Sequence, residues 1–494
     1  MLFNSFEFFV FLPIVFVLYW WVFGYALQGS KKQLLFQNLL VVVSSYLFYG
    51  WWNWRFLLLI AFTTLCSFFS GIAIEKSTSQ VSKKLWMLLN VLVNLLVLGV
   101  YKYYDFFVGS LVDILHINAE NHLLHLVLPV GISFYTFQAL SYSIDVYRQK
   151  MKPTKDIVAF FAFLSFFPQL VAGPIERATN LLPQFLKGRT FSYSKAVDGL
   201  RQMLWGMFKK VVVADNCAVF VDSIFSNVEN YNASTLAIAA VLFSFQIYCD
   251  FSGYSDIAIG LGKLFGIELM RNFNVPYFSR DIAEFWRRWH ISLTTWFRDY
   301  VYIPLGGSRP TNKHGEPLTG FSKIQAIINN TFIIFLLSGL WHGANWTFIL
   351  WGMFHTLLFL PLILLEKNRK YTNVVASDKL FPSVKELLQM LFTFILATLG
   401  WIIFRADNIG IAMNYFVRLF DFSLWGVPYL TNKVFIFLSL TIMLIVEWLH
   451  RGEPHCFTLY GVKNSSVRYM IYLGIAFLVL INMGPEQSFI YFQF

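Results

Sequence analysis

The sequence predicts an all-α integral membrane protein, and three observations support this fold class. Of the 494 residues, 57% are apolar and only 13% are charged, about half the charged share of a soluble domain. The mean hydropathy is +0.58. The apolar residues run continuously instead of alternating with polar ones, which indicates membrane helices and not the strands of a barrel. We therefore expect a polytopic helical bundle.

Near-continuous apolar runs follow one another along the whole chain. They cover residues 6–27, 34–49, 56–74, 85–100, 123–144, 157–172, 236–248, 324–340, 346–365, 387–404, 434–448 and 467–483. Because about 20 residues are needed to cross the hydrocarbon of a bilayer, we expect roughly 11–13 membrane-embedded helices, some of them short or re-entrant.

The spans of the first third carry a charge pattern that predicts their orientation. Basic residues follow the first, third and fifth spans, at Lys31, Lys32, Lys76, Lys83, Lys84, Arg148, Lys150, Lys152 and Lys155. The loops between them carry only Arg55 or, in residues 109–122, the acids Asp113 and Glu120. The positive-inside rule then places the N-terminus outside the cell. The net charge of +11 is mainly a topology signal, with an anionic substrate as the alternative, and no nucleic-acid partner is expected.

Residues 157–323 differ from the regular first third. Their apolar pieces are shorter and are interrupted by Pro168, Gly173, Pro174, Pro183, Gly206, Gly253, Gly260, Gly262, Gly266 and Pro276. Broken backbone at membrane depth is tolerated only where protein buries it or water lines it. We therefore predict half-helices and in-plane helices around a central passage.

A turn-rich polar loop follows at residues 305–322, and ordinary spans resume from Ile324, with a second polar loop at 366–385. No linker or internal repeat divides the chain, so residues 1–494 are expected to form a single domain.

The segment 336–346 (LLSGLWHGANW) places His342 in the middle of a long apolar stretch. An ionisable residue at membrane depth costs roughly 2.5 kcal/mol or more when charged, so its default interpretation is a functional site. The alternative is a histidine that hydrogen-bonds to a neighbouring helix and holds the bundle together.

The surroundings of His342 depend on whether residues 331–351 form one helix. If they do, Ser338, His342 and Asn345 share a narrow polar stripe at i, i+4 and i+7, and His355 faces elsewhere. The glycines that flank the histidine, Gly339 and Gly343, equally suit a break in the helix that lets backbone or substrate approach.

The second cluster with polar chemistry is residues 284–300 (EFWRRWHISLTTWFRDY). On one helix its Trp and Leu residues would form an apolar face, and a second face would carry Arg287, His290, Thr294 and Arg298. One interpretation is an in-plane anchor with a solvated face. The functional interpretation is that Arg287, Arg288 and Arg298 meet phosphate groups while His290 points into a cavity.

A third cluster surrounds Asp250, within residues 246–256 (QIYCDFSGYSD). A buried carboxylate needs a partner, and Asp250 has none nearby in the sequence. It is either a site residue or a structural polar residue. The four cysteines, Cys66, Cys217, Cys249 and Cys456, form no CxxC pair or zinc spacing, so neither a metal nor a disulfide is expected.

Six motifs together resemble those of the membrane-bound O-acyltransferase family, in particular its bacterial branch typified by alginate O-acetyltransferase. They are 131–138 (GISFYTFQ), 167–175 (FPQLVAGPI), 250–256 (DFSGYSD), 272–277 (NFNVPY), 285–290 (FWRRWH) and 338–343 (SGLWHG). The motifs follow the family's order and cover a core of about 123–365, with N-terminal spans at 1–122 and C-terminal spans at 366–494.

The resemblance implies a catalytic histidine, here His342, and a second family histidine, here His290. It implies transfer of an acyl group, commonly acetyl from acetyl-CoA as a substrate, with no permanently bound cofactor. The acyl group then crosses the bacterial inner membrane to a polysaccharide through a periplasmic or cell-surface partner protein.

These implications give each candidate residue an expected role. His342 would act as a general base, since histidine titrates near the working pH. His290 would orient the thioester or stabilise its developing oxyanion. Arg287 and Arg288 would contact the CoA phosphates from the cytoplasm. Asp250, Ser338, Trp341 and Asn345 are further candidates for substrate contact.

Other functions also fit a polytopic chain with a buried histidine. Within the same family, D-alanyl transfer from a carrier protein and peptidoglycan O-acetylation are alternatives. A different class is a transporter or polysaccharide export channel with a proton-coupling histidine, although a transporter would be expected to show repeat symmetry. A scaffold that anchors a secretion complex is a third possibility, and its activity would survive the loss of His342.

Overall fold

A computed structural model describes residues 1–30, 32–116, 122–312, 315–430, 433–459, 461–484 and 489–490. Within these ranges the regular elements are helices, and the β-pairing is one isolated bridge between Thr311 and Pro317. The predicted all-α fold class is confirmed. The orientation residues Lys31 and Glu120 lie outside the described residues.

The α-helices are numbered α1 to α20 in chain order. They are Phe6–Val17, Lys32–Gly50, Phe56–Lys76, Gln80–Leu98, Tyr104–Leu115, Ile132–Tyr147, Ile157–Ser165, Phe167–Leu170, Ala178–Phe185, Tyr193–Met207, Asp215–Phe225, Ala233–Leu264, Ile282–Arg288, Ile291–Phe297, Gly320–His342, Trp346–Leu364, Val384–Arg405, Ile409–Phe420, Val434–Leu449 and Ser465–Asn482. Wider π-helical turns extend several of them, at Leu18–Tyr25, Gly99–Tyr103, Phe208–Ala214 and Arg298–Tyr302. Short 3₁₀ turns lie at Val228–Asn230, Pro276–Phe278 and Phe422–Leu424.

In the described part of the chain, nine helical segments are long and apolar enough to cross a membrane. They are Phe6–Tyr25, Lys32–Gly50, Phe56–Lys76, Gln80–Leu115, Ala233–Leu264, Gly320–His342, Trp346–Leu364, Val384–Arg405 and Ser465–Asn482. Two shorter apolar helices, α18 and α19, bring the number to eleven, which lies within the expected range. The protein is therefore a multi-pass membrane protein.

The chain forms two compact units. The first comprises Met1–Met203 with Ser255–Met270, and the second comprises Leu204–Tyr254 with Arg271–Phe494. The chain passes from one unit to the other within α10, within α12 and again between Met270 and Arg271. Every candidate site residue belongs to the second unit.

Buried amide and hydroxyl groups hold α3, α4 and α6 together in the first unit. Asn90 on α4 donates a hydrogen bond to Ser143 on α6 (2.7 Å) and accepts one from Ser67 on α3 (3.3 Å). Asn94, one turn further along α4, donates to Asn90. Polar side chains satisfied between helices are a common device of membrane bundles, where apolar contact with lipid and with protein are equally favourable.

The interrupted middle of the chain is partly confirmed. Helices α7, α8, α9, α13 and α14 are short, as predicted. The expected interruptions at Gly206, Gly253, Gly260 and Gly262 are wrong, because α10 continues through Gly206 and α12 through the other three. In the second unit a Cβ at Gly253 would lie 2.7 Å from the carbonyl oxygen of Gly206. In the first unit a Cβ at Gly260 would lie 2.5 Å from that of Gly199. These glycines allow close packing of helices instead of breaking one.

Candidate active site

His342 is the last residue of α15, and the chain turns immediately after it. Gly343 is extended (φ −169°), and Asn345 caps α16 by accepting a hydrogen bond from the Thr347 amide at 3.0 Å. The side chain of Asn345 also donates to the Asp407 carbonyl at 2.8 Å. Of the two alternatives that the sequence left open, one helix over 331–351 is excluded, and the break that the flanking glycines allowed is present. Asn345 is a helix cap here, not the third member of a polar stripe.

Two glycines bring α15 and α16 into close contact. A Cβ at Gly339 would collide with the carbonyl oxygen of Phe348, and one at Gly352 with that of Phe335. Because each glycine lies against the backbone of the other helix, neither helix can shift without disturbing the other. This packing fixes the end of α15, where Ser338 and His342 are both buried.

We expect Gly339→Ala to destabilise the protein by about 1–3 kcal/mol, because the added methyl group would overlap with backbone atoms of α16. The measurement is the thermal unfolding midpoint in detergent. The matched control is Gly474→Ala on α20, where a Cβ meets no atom within 4 Å. Alanine should be neutral or slightly stabilising there. Equal unfolding midpoints for the two variants would contradict this account of the contact between α15 and α16.

Aromatic rings surround the imidazole of His342. The ring centroids of Trp341, Trp351 and Phe404 lie 5.0, 5.1 and 5.2 Å from that of His342. His355 joins this cluster through Trp351, whose ring centroid lies 4.8 Å from that of His355. The expectation that His355 faces elsewhere assumed one helix over 331–351; with α16 turned back along α15, both imidazoles contact the Trp351 indole.

His290 lies at a break between α13 and α14. Its backbone is left-handed (φ +42°), and it precedes the first turn of α14. The prediction of one continuous helix over 284–300 is therefore wrong. Two backbone hydrogen bonds hold the break open: Asn274 N–H donates to the Arg288 carbonyl (2.9 Å), and Ile291 N–H donates to the Asn272 carbonyl (2.8 Å). Backbone strain of this kind is typical of functional sites.

The structure brings the two candidate histidines to one indole ring. The ring of Trp341 lies 5.5 Å from His290 and 5.0 Å from His342. Phe251 also packs against His290, with 4.6 Å between the two ring centroids. Trp341 thus contacts both imidazoles. Its position next to His342 in the sequence could indicate only the contact with that residue.

The environment of His290 favours a neutral imidazole. Its side chain is buried, and burial lowers the pKa of His290 to about 3, because the charged form loses its hydration. Nδ1 of His290 lies 3.0 Å from Oδ1 of Asn272, which is itself buried. A neutral imidazole can accept a proton through one nitrogen while the other donates a hydrogen bond.

Both adjacent arginines make hydrogen bonds within the protein. Arg288 contacts the carboxylate of Glu284 through Nε (3.1 Å) and Nη2 (2.8 Å), and Arg280 approaches the same carboxylate at 3.0 Å. Arg287, half-buried, donates to the carbonyl oxygens of Asn368 and Tyr371. A phosphate at Arg288 would have to compete with a buried carboxylate that is hydrogen-bonded to it, whereas the two hydrogen bonds of Arg287 go to neutral carbonyls. Of the predicted solvated face, Arg298 is exposed and Arg287 and Thr294 are half-buried, but His290 is buried, so the four residues do not form one solvated face.

Asp250 has partners that are distant in the sequence. Its carboxylate lies 2.7 Å from Nζ of Lys210 and accepts a hydrogen bond from the Ile490 amide at 2.7 Å. Lys210 also contacts Asp215 at 2.8 Å. These contacts account for the burial of Asp250 by pairing, as the structural interpretation required. In the described residues, no group of three or more His, Cys, Asp or Glu side chains could hold a metal ion.

Sequence reasoning did not single out Asn272, Trp351 or Lys210, which the structure places around the candidate residues. Asn272 lies in the NFNVPY motif, and that motif was the only signal for it. Lys210 follows α10, which itself carries Lys195, Asp198 and Arg201, and no local pattern pairs Lys210 with Asp250.

Comparison with known proteins connects this geometry to a chemical activity. The model of the membrane-bound O-acyltransferase family matches residues 39–399, a wider range than the motifs cover. A probable alginate O-acetylase of Pseudomonas putida is 39% identical over the full length of both chains. A peptidoglycan O-acetyltransferase of Helicobacter pylori is 32% identical over all of this chain and 98% of its own. A teichoic acid D-alanyltransferase of Streptococcus thermophilus is 30% identical over 48% of this chain and 57% of its own.

Proposed function

Because this chain belongs to the membrane-bound O-acyltransferase family and is an O-acyltransferase, we propose that it transfers acetyl groups to an extracellular or periplasmic polysaccharide. The donor is cytoplasmic acetyl-CoA, and the acceptor is an alginate-like polymer reached through a periplasmic or cell-surface partner protein. The protein would lie in the bacterial inner membrane with its N-terminus outside.

The observation that carries this proposal is the full-length similarity to an alginate O-acetylase, combined with two buried imidazoles against one indole. The similarity to a peptidoglycan O-acetyltransferase also spans this whole chain, so acetylation of peptidoglycan is the second candidate. D-alanyl transfer is less favoured, since the match to that enzyme covers about half of the chain. A transporter, channel or scaffold does not account for membership of an acyltransferase family.

In the proposed reaction the hydroxyl oxygen of the acceptor attacks the thioester carbonyl carbon, and the C–S bond breaks. His342 removes the hydroxyl proton as the C–O bond forms and returns it to the sulfur, so that the products are the ester and the free thiol. The apolar walls around His342 exclude water, which protects the thioester from hydrolysis. His290, which contacts the same indole of Trp341, assists this step.

The function is tested by deleting the gene in the source organism and measuring three products. Ester-linked acetate in the exopolysaccharide should fall, while acetate in peptidoglycan and D-alanine esters in the cell wall should stay at wild-type levels. A loss confined to peptidoglycan acetate would select the second candidate. A loss confined to D-alanine esters would overturn the proposal of acetyl transfer.

Arg287 is the better candidate of the two arginines for a donor phosphate, because its hydrogen bonds go to uncharged carbonyls and not to a carboxylate. Arg287→Gln is expected to raise the apparent KM for acetyl-CoA about tenfold, the effect of losing one charge-assisted hydrogen bond. Initial rates at varied acetyl-CoA give this value.

Arg280→Gln is the matched control for Arg287, because Arg280 contacts Glu284 and the Asn373 carbonyl of the same polar loop. If both variants raise KM equally, the effect comes from the loop, and Arg287 is not a phosphate ligand.

A further inference from the structure

A single side-chain oxygen fixes how His290 carries its proton. Oδ1 of Asn272 lies 3.0 Å from Nδ1 of His290 and 2.8 Å from Oγ of Ser292. The backbone N–H of Ser292 also points at this atom, over a longer distance of 3.4 Å. Because a backbone N–H can only donate, the atom facing it is the amide oxygen and not the nitrogen. Nδ1 of His290 must then donate, so it carries the hydrogen.

The backbone around Asn272 holds this oxygen in place. The carbonyl of Asn272 accepts a hydrogen bond from Ile291, and Asn274 donates to Arg288, so residues 272–274 are fixed on both sides of the break that contains His290. Asn272 and Ser292 are both fully buried. The position of the asparagine side chain is therefore set by the fold before any substrate binds.

A purely structural role for Asn272 also has support. The residue that precedes α14 is His290, whose side chain makes no capping hydrogen bond. The oxygen of Asn272 lies where a capping oxygen would, near the Ser292 N–H in the first turn of α14. A test must therefore distinguish a helix cap from a group that orients an imidazole.

We propose that Asn272 is a positioning residue that holds neutral His290 with its hydrogen on Nδ1, so that Nε2 presents a lone pair to the substrates. This inference rests on the proposed function. It replaces the expected oxyanion role of His290, because a neutral imidazole with hydrogen on Nδ1 cannot donate through Nε2. Nε2, which has no hydrogen-bond partner among the described residues, instead accepts from a substrate O–H or N–H.

Two substrate groups could supply such a donor. The acceptor polymer carries hydroxyl groups besides the one that His342 deprotonates, and the pantetheine arm of acetyl-CoA carries amide N–H groups. Loss of orientation at His290 would lower kcat at unchanged acetyl-CoA KM if such a hydroxyl is the partner. It would raise the acetyl-CoA KM if the amide is the partner. Either pattern supports a hydrogen-bond acceptor at Nε2.

The first experiment reads the tautomer directly, without any assay of activity. Protein labelled with ¹⁵N-histidine is compared with the His290→Asn variant, since asparagine tolerates the left-handed backbone at this position. The difference spectrum should show one protonated and one unprotonated ring nitrogen, with the coupled Cδ2–H correlation assigning the hydrogen to Nδ1. A hydrogen on Nε2 would overturn the proposal, whatever reaction the protein catalyses.

The second experiment uses three variants in the acyl-transfer assay. Asn272→Leu removes the acceptor and should lower kcat or kcat/KM by about 10–100-fold, as when the partner that orients a functional histidine is lost. Asn272→Asp keeps an acceptor oxygen and should restore both the Nδ1–H tautomer and most of the activity. Ser292→Ala removes one hydrogen bond to the same oxygen and should leave the tautomer unchanged.

The outcomes separate this proposal from the proposed function. Wild-type kinetics and tautomer in Asn272→Leu would overturn the positioning role, even if His290 is essential. If Asn272→Leu does not fold, the Asn272→Asp and Ser292→Ala variants and the wild-type spectrum still test the positioning role of Asn272. Unchanged transfer in His290→Asn would remove His290 from the reaction while the spectrum still tests Asn272.

Discussion

His342→Ala is expected to lower acyl transfer by about 10²–10⁴-fold, the contribution of a positioned general base. The alanine retains the helical end of α15, because Gly343 and the Asn345 cap make the turn without the imidazole. Transfer of labelled acetyl from acetyl-CoA to the acceptor, in membranes that contain the partner protein, measures the effect. Size-exclusion profile and unfolding midpoint should match those of the wild type.

The matched control for His342 is His450→Ala. His450 is half-buried at the end of α19, where its ring lies 3.0 Å from the Val446 carbonyl of the same helix. It contributes to no proposed step, so transfer should stay at the wild-type level. Full activity in His342→Ala would exclude this residue as the base, and an equal loss in both variants would indicate a general sensitivity to histidine replacement.

Lys210→Met is expected to destabilise the protein by about 3–5 kcal/mol, because it leaves buried carboxylates without their cation. Asp250 and Asp215 lie 2.7 and 2.8 Å from the Lys210 ammonium, and the side chain of Asp250 is only 4% exposed. Methionine keeps the length of the side chain and removes the charge. Equilibrium unfolding in detergent gives the change in the free energy of unfolding.

Lys195→Met is the matched control for the buried pair. Lys195 contacts Glu268 at 2.6 Å, but both side chains are more than half exposed, and exposed pairs contribute about 0–1 kcal/mol. If the two variants cost the same, burial of Asp250 and Lys210 does not determine the strength of the pair.

The fold class could be predicted from the sequence because membrane helices depend on continuous apolar length, which each segment carries by itself. The glycines of α12 show the limit of this reasoning. In the sequence Gly253 and Gly260 indicate helix breaks, although in the structure they allow another helix to pack closely. Both uses need a missing Cβ, and only the neighbouring backbone distinguishes them.

The two helix breaks in the candidate site differ in how far the sequence could show them. The break after His342 had a local signal, since Gly343 can end a helix and Asn345 can begin the next one. The break at His290 had none: neither glycine nor proline is present, and the hydrogen bonds that stabilise it come from Asn272 and Asn274. Information of that kind lies outside any local window, so the tertiary fold was needed to place His290.

The residues of the candidate site could be named from motifs, but their interactions could not. The motifs predicted His342 and His290 as a pair, and their roles stay predictions. Nothing in the sequence showed that Trp341 contacts both rings or that Glu284 engages Arg288. Such contacts depend on side-chain packing between helices, which periodicity does not encode.

The pairing of Lys210 with Asp250 has a consequence for biosynthesis. A lone carboxylate within a helix costs roughly 2.5–3.5 kcal/mol when the translocon releases that helix into lipid. Lys210 leaves the ribosome 40 residues before Asp250, so the cation that pairs with Asp250 is already synthesised when α12 emerges. Pairing with Lys210 then favours release of α12 next to the segment made before it, so the order of synthesis favours one order of helix assembly.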